Sequence, residues 1–514
     1  MKKPSKTATT QPKLPPTRTA PSLPPKPPFN GKSFFLNDLG KTLFPLRTNK
    51  VLGEAAFDKF VEYAKSNSDH FLPQKRVFAM KQGGHLRRTF KLDPVAEMFL
   101  YDLLYRNRRF FRRPTNKQRE TFGYNFNVGE PTEATLSYRG FKGAMSQYRK
   151  TYAHSISFDV ASYFNSIYHH DLVHWFERIG ASSEDVSALG SFLREINSGR
   201  SIDCLPQGLY PAKMMGNAFL EFVQQSGRLQ SDVLIRFMDD FVLFANDKDT
   251  LLSDFYYVQE ALSAKGLSVN PSKTRLFLKG DDEIERALDG VKKGLLRKRR
   301  RVVRRGYDED ESDVDEELRN LTKKETELLR ELLARPHLEE EDAELVLSLM
   351  GNHSADVLAR FEDLLRDFPH LAKSIYQFTK FVRDKPSLSA IIAKFVAQNK
   401  IIPEFQLFWL GVILEESLLA TKQASDIAHS LYTHPWATPI TRAKVLEIAD
   451  QRFGLTELRE THLKDGTSDW LAWASACGSR VEKKAARNYS LKYFKNASPI
   501  NKLIGEVIAD LPQQ

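Results

Sequence analysis

Two adjacent carboxylates, Asp239 and Asp240, stand at the midpoint of an apolar run in this 514-residue chain. Val233, Leu234, Ile235 and Phe237 precede them, and Phe241, Val242, Leu243 and Phe244 follow. Charges in so apolar a stretch are costly unless a partner meets them. Two readings fit. Asp is a favoured turn residue, so the pair can be no more than the tip of a hairpin. It can also hold a divalent cation, since Mg²⁺ is hard and is usually bound by one or two carboxylates together with substrate phosphates. Asp159 emerges from a similar apolar strand well upstream, after Ile156 and Phe158 and before Val160. Two metal ions spaced for in-line phosphoryl transfer need bridging carboxylates from more than one element, and Asp159, Asp239 and Asp240 would supply them. Between them, Leu205, Pro206, Gln207 and Gly208 form a turn in which Gly208 lets backbone approach a ligand and Gln207 offers a donor and an acceptor. Lys273, after Asn270 and Pro271, is suited to contact a triphosphate or to protonate a departing pyrophosphate.

These groups need a sheet to gather them. The β-branched and aromatic flanks of the Asp pair predict two buried strands joined by a tight turn, and residues 156–164 predict a third strand that can lie in the same sheet. The Pro-Gln-Gly turn leads into a helix containing Met214, Met215 and Phe219, and a further helical stretch runs to Lys265. Residues 94–105 predict a helix, apolar at Val95, Met98, Leu100, Leu103 and Leu104. Around it Arg87, Arg88, Lys91, Arg106, Arg108, Arg109, Arg112 and Arg113 alternate with aromatics, a mixture suited to phosphate contact and base stacking.

The length predicts more than one core. A net charge of +11 favours an anionic partner, most often nucleic acid. Cys204 and Cys477 are the only cysteines, which argues against a disulfide framework or a cysteine-built zinc site and fits a reducing cytoplasm. No apolar run approaches a membrane span, and residues 1–30 lack the apolar core of a signal peptide; they read as a disordered, basic, Pro-rich tail. Residues 286–319 hold a basic block (297–301, 304–305) followed by an acidic one (308–317), expected to be a charged linker or insertion. Beyond Asn320 the pattern is helical, with Leu328, Leu329, Leu332 and Leu333, then Ile391, Ile392, Phe395 and Val396, at helical spacing. Pro369, Pro386 and Pro403 recur at intervals of about 17 residues, a helix-plus-turn length that predicts a HEAT-like array over 320–514.

The order of the motifs, a strand with Asp, then Leu-Pro-Gln-Gly, then Met-Asp-Asp, then Asn and Lys, resembles the palm of the reverse transcriptases. The resemblance implies an α+β fold: right-hand-like fingers and palm over residues 31–285, followed by the all-α domain. It implies that Asp159, Val160, Asp239 and Asp240 hold two Mg²⁺ ions, or Mn²⁺. It places Gln207, Gly208, Arg87 and Arg88 on a deoxynucleoside triphosphate, with Phe164 as the bulky gate that excludes a ribose 2′-hydroxyl. Phe237 stands where the family usually has Tyr. Residues 161–170 and the helical half look like the bacterial abortive-infection and related defence reverse transcriptases. Membership there implies antiphage defence, a homo-oligomer in the bacterial cytoplasm and, in some members, untemplated single-stranded DNA synthesis primed by a protein hydroxyl.

Tyr163, Tyr168 and Tyr210 lie near the expected site, where a priming or a packing role fits each, and His169 and His170 are expected on the next helix. Arg480, Lys483, Lys484 and Arg487 read as one helical face, followed by Tyr489, Tyr493 and Phe494, that would guide a single strand or remain a solvated basic surface. Two rival functions fit the same residues: RNA-templated cDNA synthesis of retron or intron type, and an inactive nucleic-acid-binding scaffold. Three retained carboxylates oppose the second.

Overall fold

The computed structural model describes residues 29–66, 71–278, 290–305 and 320–514. The Pro-rich tail, but for its last two residues, and the acidic block at 308–317 lie outside the described residues. The strands are β1 (Lys75–Met80), β2 (Leu86–Lys91), β3 (Arg119–Phe122), β4 (Phe126–Asn127), β5 (Glu130–Pro131), β6 (His154–Asp159), β7 (Val233–Phe237), β8 (Asp240–Ala245) and β9 (Arg275–Leu278). Five of them form the central sheet in the order β3-β7-β8-β6-β9, with β3 parallel to β7 and the remaining pairs antiparallel. β1 and β2 make a separate hairpin.

The central strands are apolar on both faces because both faces are covered. Val233, Ile235, Val242 and Phe244 pack with Phe122, Phe141 and Met145, the last two from the helix Ala134–Thr151. Leu234, Phe241 and Leu243 turn instead to the main core, shared with Leu251, Val258 and Leu262 of the helix Lys248–Ser263. The expected helix at 94–105 is Pro94–Arg106. Asp93 caps it, its Oδ1 accepting from Ala96 N at 2.9 Å while its Oδ2 accepts from Leu72 N at 2.9 Å.

From Lys323–Ala334 to Pro499–Asp510 the described chain is helical. Alternate helices stack: Ala372–Thr379 on Glu404–Ile413, that on Pro439–Leu446, and that on Trp470–Gly478. The basic part of the expected linker is not a bare connector. Residues Gly290–Arg305 form a helix that buries Leu295 and pairs Lys292 with Asp342 at 2.7 Å, Lys298 with Glu325 at 2.7 Å, and Arg299 with Glu344. Acidic helices downstream give the like charges somewhere to dock, which composition alone does not reveal. Among the described residues no helix is long and apolar enough to cross a membrane.

The helical half and the N-terminal elements share one hydrophobic cluster running from Phe34 to Ala509. A buried polar joint ties them as well. Glu447, just beyond the helix Pro439–Leu446, accepts from Arg47 N (2.8 Å), Thr48 N (2.8 Å) and the Thr48 hydroxyl (2.9 Å), so it caps the helix Arg47–Ser66 from a distant part of the chain. Lys444 Nζ joins Glu447 at 2.8 Å to Glu415 at 2.5 Å, and Arg47 reaches Glu415 at 3.0 Å. Glu404 accepts from Phe78 N on β1 at 2.9 Å, anchoring the β1–β2 hairpin to the same helices. Replacing Glu447 by Ala leaves the buried Lys444 ammonium with Glu415 alone and frees two helix N–H groups. The expected loss is about 3–5 kcal/mol in urea unfolding; a loss below about 1 kcal/mol would mean that Glu415 alone satisfies Lys444.

Candidate nucleotidyl-transfer site

Strand pairing builds the site. β7 and β8 are joined by Met238 and Asp239 alone, with Phe237 opposite Asp240, so the Asp pair does sit at a tight hairpin turn. β6 runs antiparallel to β8 with Asp159 opposite Asp240. Val160 N donates to Asp239 O at 3.2 Å, while Asn270 N donates to Asp159 O at 2.8 Å and brings the Lys273 turn alongside. One register thus delivers Asp159, Asp239, Asp240 and Lys273 to one edge. Beneath them Phe158 and Phe241 stack across the strands at 5.2 Å.

Met238 has φ of +56°, a left-handed conformation that two-residue hairpin turns require and that costs a non-glycine residue about 1 kcal/mol. Arg236 and Asn217, both buried, hold the backbone of that residue.

The carboxylates feel one another. Burial, then the charge of Asp240 and that of Asp159, push Asp239 up to about 6, with Lys273 opposing. Asp240 is raised by burial and by Asp159, and lowered by Lys273 and Lys142. Lys273 Nζ donates to Asp159 Oδ2 at 2.5 Å, an interaction that raises the amine. The other oxygen, Asp159 Oδ1, is buried with no hydrogen-bond partner among the described residues. Among the described residues no three His, Cys, Asp or Glu side chains already converge at ligating distance. Even so, an unpartnered carboxylate oxygen beside two acids that resist ionisation is a donor set suited to hard divalent cations.

Arg87 is brought to this cluster and Arg88 is not. Alternation along β2 separates them. The Arg87 guanidinium is lowered by burial and held up by attraction to Asp239, whereas Arg88 pairs with Asp203 at 3.3 Å. Lys81, unnoticed in the sequence because it is one Lys in an exposed turn, faces the same acids; burial and the neighbouring Arg87 and Lys273 charges lower it while Asp239 and Asp159 oppose. Gly208 has φ of +120°, so the Pro-Gln-Gly turn needs glycine for its backbone; a Cβ there would only touch Leu43 and Thr89 at ordinary distances. Gln207 is half-buried beside it. Phe164 is buried against Tyr163, whose hydroxyl donates to Gly216 O at 2.6 Å. Tyr163 and Tyr210 are buried, while Tyr168 is 46% exposed. His169 opens the next helix, His169–Arg178.

The late basic stretch is not one helical face. Arg480 lies in a short 3₁₀ turn, Lys483 precedes the helix Lys484–Lys495, and Arg487 is fully buried, donating to Ala509 O at 3.2 Å and Leu511 O at 2.7 Å. The C-terminal helix returns over Arg487 and uses its charge on orphan carbonyls, a long-range contact that helical spacing cannot register. Lys483 and Lys484 remain exposed.

Residues 116–325 match the reverse transcriptase (RNA-dependent DNA polymerase) family, a span that includes Asp159, the Pro-Gln-Gly turn, the Asp pair and Lys273. The chain therefore carries a reverse transcriptase domain and is a nucleotidyltransferase of RNA-directed DNA polymerase type. Among solved structures it is similar to apo telomerase from Candida tropicalis, at 12% identity over 68% of this chain and 71% of that one, with a TM-score of 0.29. It is also similar to telomerase from Candida albicans in complex with a TWJ fragment of telomeric RNA, at 11% identity over 66% of each chain, with a TM-score of 0.28. Both likenesses are slight. No curated protein matches.

The placement of the two arginines is directly testable. Arg87→Ala is expected to raise the KM for deoxynucleotide about 10-fold or more, the weight of one charge-assisted hydrogen bond. Arg88→Ala is expected to change it less than about twofold in steady-state incorporation; equal effects would contradict the alternation along β2.

Proposed function

We propose that the chain is a Mg²⁺-dependent DNA polymerase of reverse-transcriptase type acting in antiphage defence. The observation that carries the catalytic part is the pairing of Asp159 with Asp240 beside Asp239, with Asp159 Oδ1 without a hydrogen-bond partner among the described residues. Asp159, Asp239 and Asp240, with the Val160 backbone, would hold the divalent ions that this family generally uses. Ions held there would supply Lewis-acid chemistry at an attacking hydroxyl and a leaving pyrophosphate.

The chain's own groups do the rest. Arg87 and Lys81 neutralise the incoming triphosphate from the β1–β2 hairpin. Lys273 keeps a proton at Nζ, next to the carboxylates, for the departing pyrophosphate. Gln207 and Gly208 present backbone and amide to the nucleotide, and the Phe164 ring closes the floor under the sugar against a 2′-hydroxyl. Proteins with such a domain bind a nucleic-acid template and deoxynucleoside triphosphates. The net charge of +11 supports that partner here.

The defence role rests on the resemblance of residues 161–170 to that group and on the helical half, whose stacked alternate helices support a HEAT-like array. The same resemblance supports a bacterial cytoplasmic homo-oligomer. Initiation on a protein hydroxyl is the corresponding proposal for priming, and Tyr168 is the one of the three nearby tyrosines whose side chain is exposed.

Purified protein incubated with Mg²⁺ and labelled deoxynucleotides, with and without RNA template and primer, separates the readings. Label retained on denatured protein without template supports protein-primed synthesis. Label that requires template and a nucleic-acid primer supports the retron or intron type, and none under any condition supports a scaffold. In the active case Phe164→Val is expected to reduce discrimination against ribonucleotides by about 10-fold or more, read as the ratio of kcat/KM values. Unchanged discrimination would remove Phe164 from the gate.

A further inference from the structure

Below the Met238–Asp239 turn lies a fully buried arginine, Arg236, which burial lowers and the charges of Glu221 and Asp239 support without a carboxylate in salt-bridge contact among the described residues. Arg236 Nη1 donates to Met238 O at 2.8 Å and to Asn217 Oδ1 at 3.1 Å. That same Asn217 oxygen accepts from Met238 N at 3.3 Å, so both backbone groups of the left-handed residue are held by one interlocked pair. The pair is itself fixed from behind. Arg236 Nε donates to Gln224 Oε1 at 3.0 Å, Thr121 Oγ1 donates to that oxygen at 3.0 Å, and Asn217 Nδ2 donates to Tyr124 O at 3.3 Å. Asn217, Gln224 and Thr121 are all buried.

A hairpin turn needs none of this. Gly or Asn at the first turn position adopts a positive φ without a buried charge beneath it. Here a Met is held in that conformation by a polar relay reaching the edge strand β3, in which Arg236 uses Nε and Nη1 while its buried Nη2 has no hydrogen-bond partner among the described residues. The helix Tyr210–Phe219 gives the relay its second function. Gly216 on that helix accepts from the Tyr163 hydroxyl, just after Asp159, and the next residue, Asn217, holds the segment just before Asp239. Consecutive residues of one helix therefore grip both aspartate-bearing segments.

We propose that Asn217 and Arg236 are positioning residues that set the Met238–Asp239 backbone and, through it, the place of the Asp239 carboxylate relative to Asp159. The inference rests on the metal-dependent reading of the site. The relay acts through the turn and touches no substrate.

The test compares wild type, Asn217→Ala, Met238→Gly and the double variant. Four quantities are read: Mn²⁺ affinity of the resting protein by electron paramagnetic resonance, kcat and KM for deoxynucleotide, and the urea unfolding midpoint. Asn217→Ala is expected to weaken Mn²⁺ binding about 10-fold and to lower kcat about 100-fold with KM within about twofold, the scale of a small misplacement of a reacting group. Adding Met238→Gly is expected to recover most of both losses, because glycine takes the turn's φ without the brace. A general packing defect would not be repaired by removing a side chain at the turn. Asn217→Ala with wild-type Mn²⁺ affinity, or losses that Met238→Gly leaves untouched, overturns the proposal. If Asn217→Ala does not fold, the same recovery is read in an Asn217→Ser background. A wild type that binds Mn²⁺ but incorporates nothing counts against the polymerase reading alone, while the affinities still decide the role of Asn217. A wild type that binds no Mn²⁺ overturns both.

Discussion

Three carboxylates crowded at the end of a buried sheet repel one another, and the molecule around them is arranged so that the repulsion is borne. Asp239 is driven up to about 6 by burial and its neighbours, yet the register of β6 on β8 leaves Asp159 and Asp240 no room to separate. Side chains opposed across an antiparallel pair stay close, and a slip of one residue would send one of them to the other face. The apolar strands on either flank make such a slip expensive, so the same hydrophobic pattern that builds the core also enforces the charge cluster. Lys81 and Arg87 of the β1–β2 hairpin, Lys273 and Lys142 answer it from three separate parts of the fold.

That arrangement makes the position of the β1–β2 hairpin important, since it carries Lys81 and Arg87. The hairpin does not stand free. Glu404 holds the β1 backbone from the helical half, and the Glu447–Lys444–Glu415 joint fixes the helix Arg47–Ser66 nearby. Burying so many charges contributes little net stability compared with an apolar contact, but it is intolerant of partial disruption. The helical half is thus part of the scaffold of the catalytic half, with one hydrophobic cluster passing through both.

How much of this was legible in the sequence follows from the range of each signal. The strands flanking the Asp pair could be read because β-branched and aromatic runs report burial locally, and the helix at Pro94 because Asp-Pro marks a start, whereas the strand expected over 156–164 ends at Asp159 and gives way to a helical turn at Tyr163–Ser166. Gly208 could be read as a turn because only glycine serves there. Arg236 was visible as a letter in a motif but not as a buried brace, since its partners Asn217 and Gln224 come from another element. Arg487 was misplaced on an exposed face for the same reason: helical spacing says which residues share a side, and the returning C-terminal helix decides whether that side sees water. Composition marks 286–319 as a charged linker or insertion and does not show its helix at 290–305 docking, because the acidic partners lie tens of residues downstream.

The claim on which the account turns is that the paired acids serve nucleotidyl transfer and are not an ordinary turn. Asp239→Asn with Asp240→Asn removes the charge and keeps the shape. The decisive measurement is deoxynucleotide incorporation by that variant beside its urea unfolding midpoint. Incorporation lost by about 10³-fold or more, with the midpoint unchanged or raised because two neighbouring, mutually repelling charges are gone, is the predicted result. Full incorporation in the folded variant would contradict it.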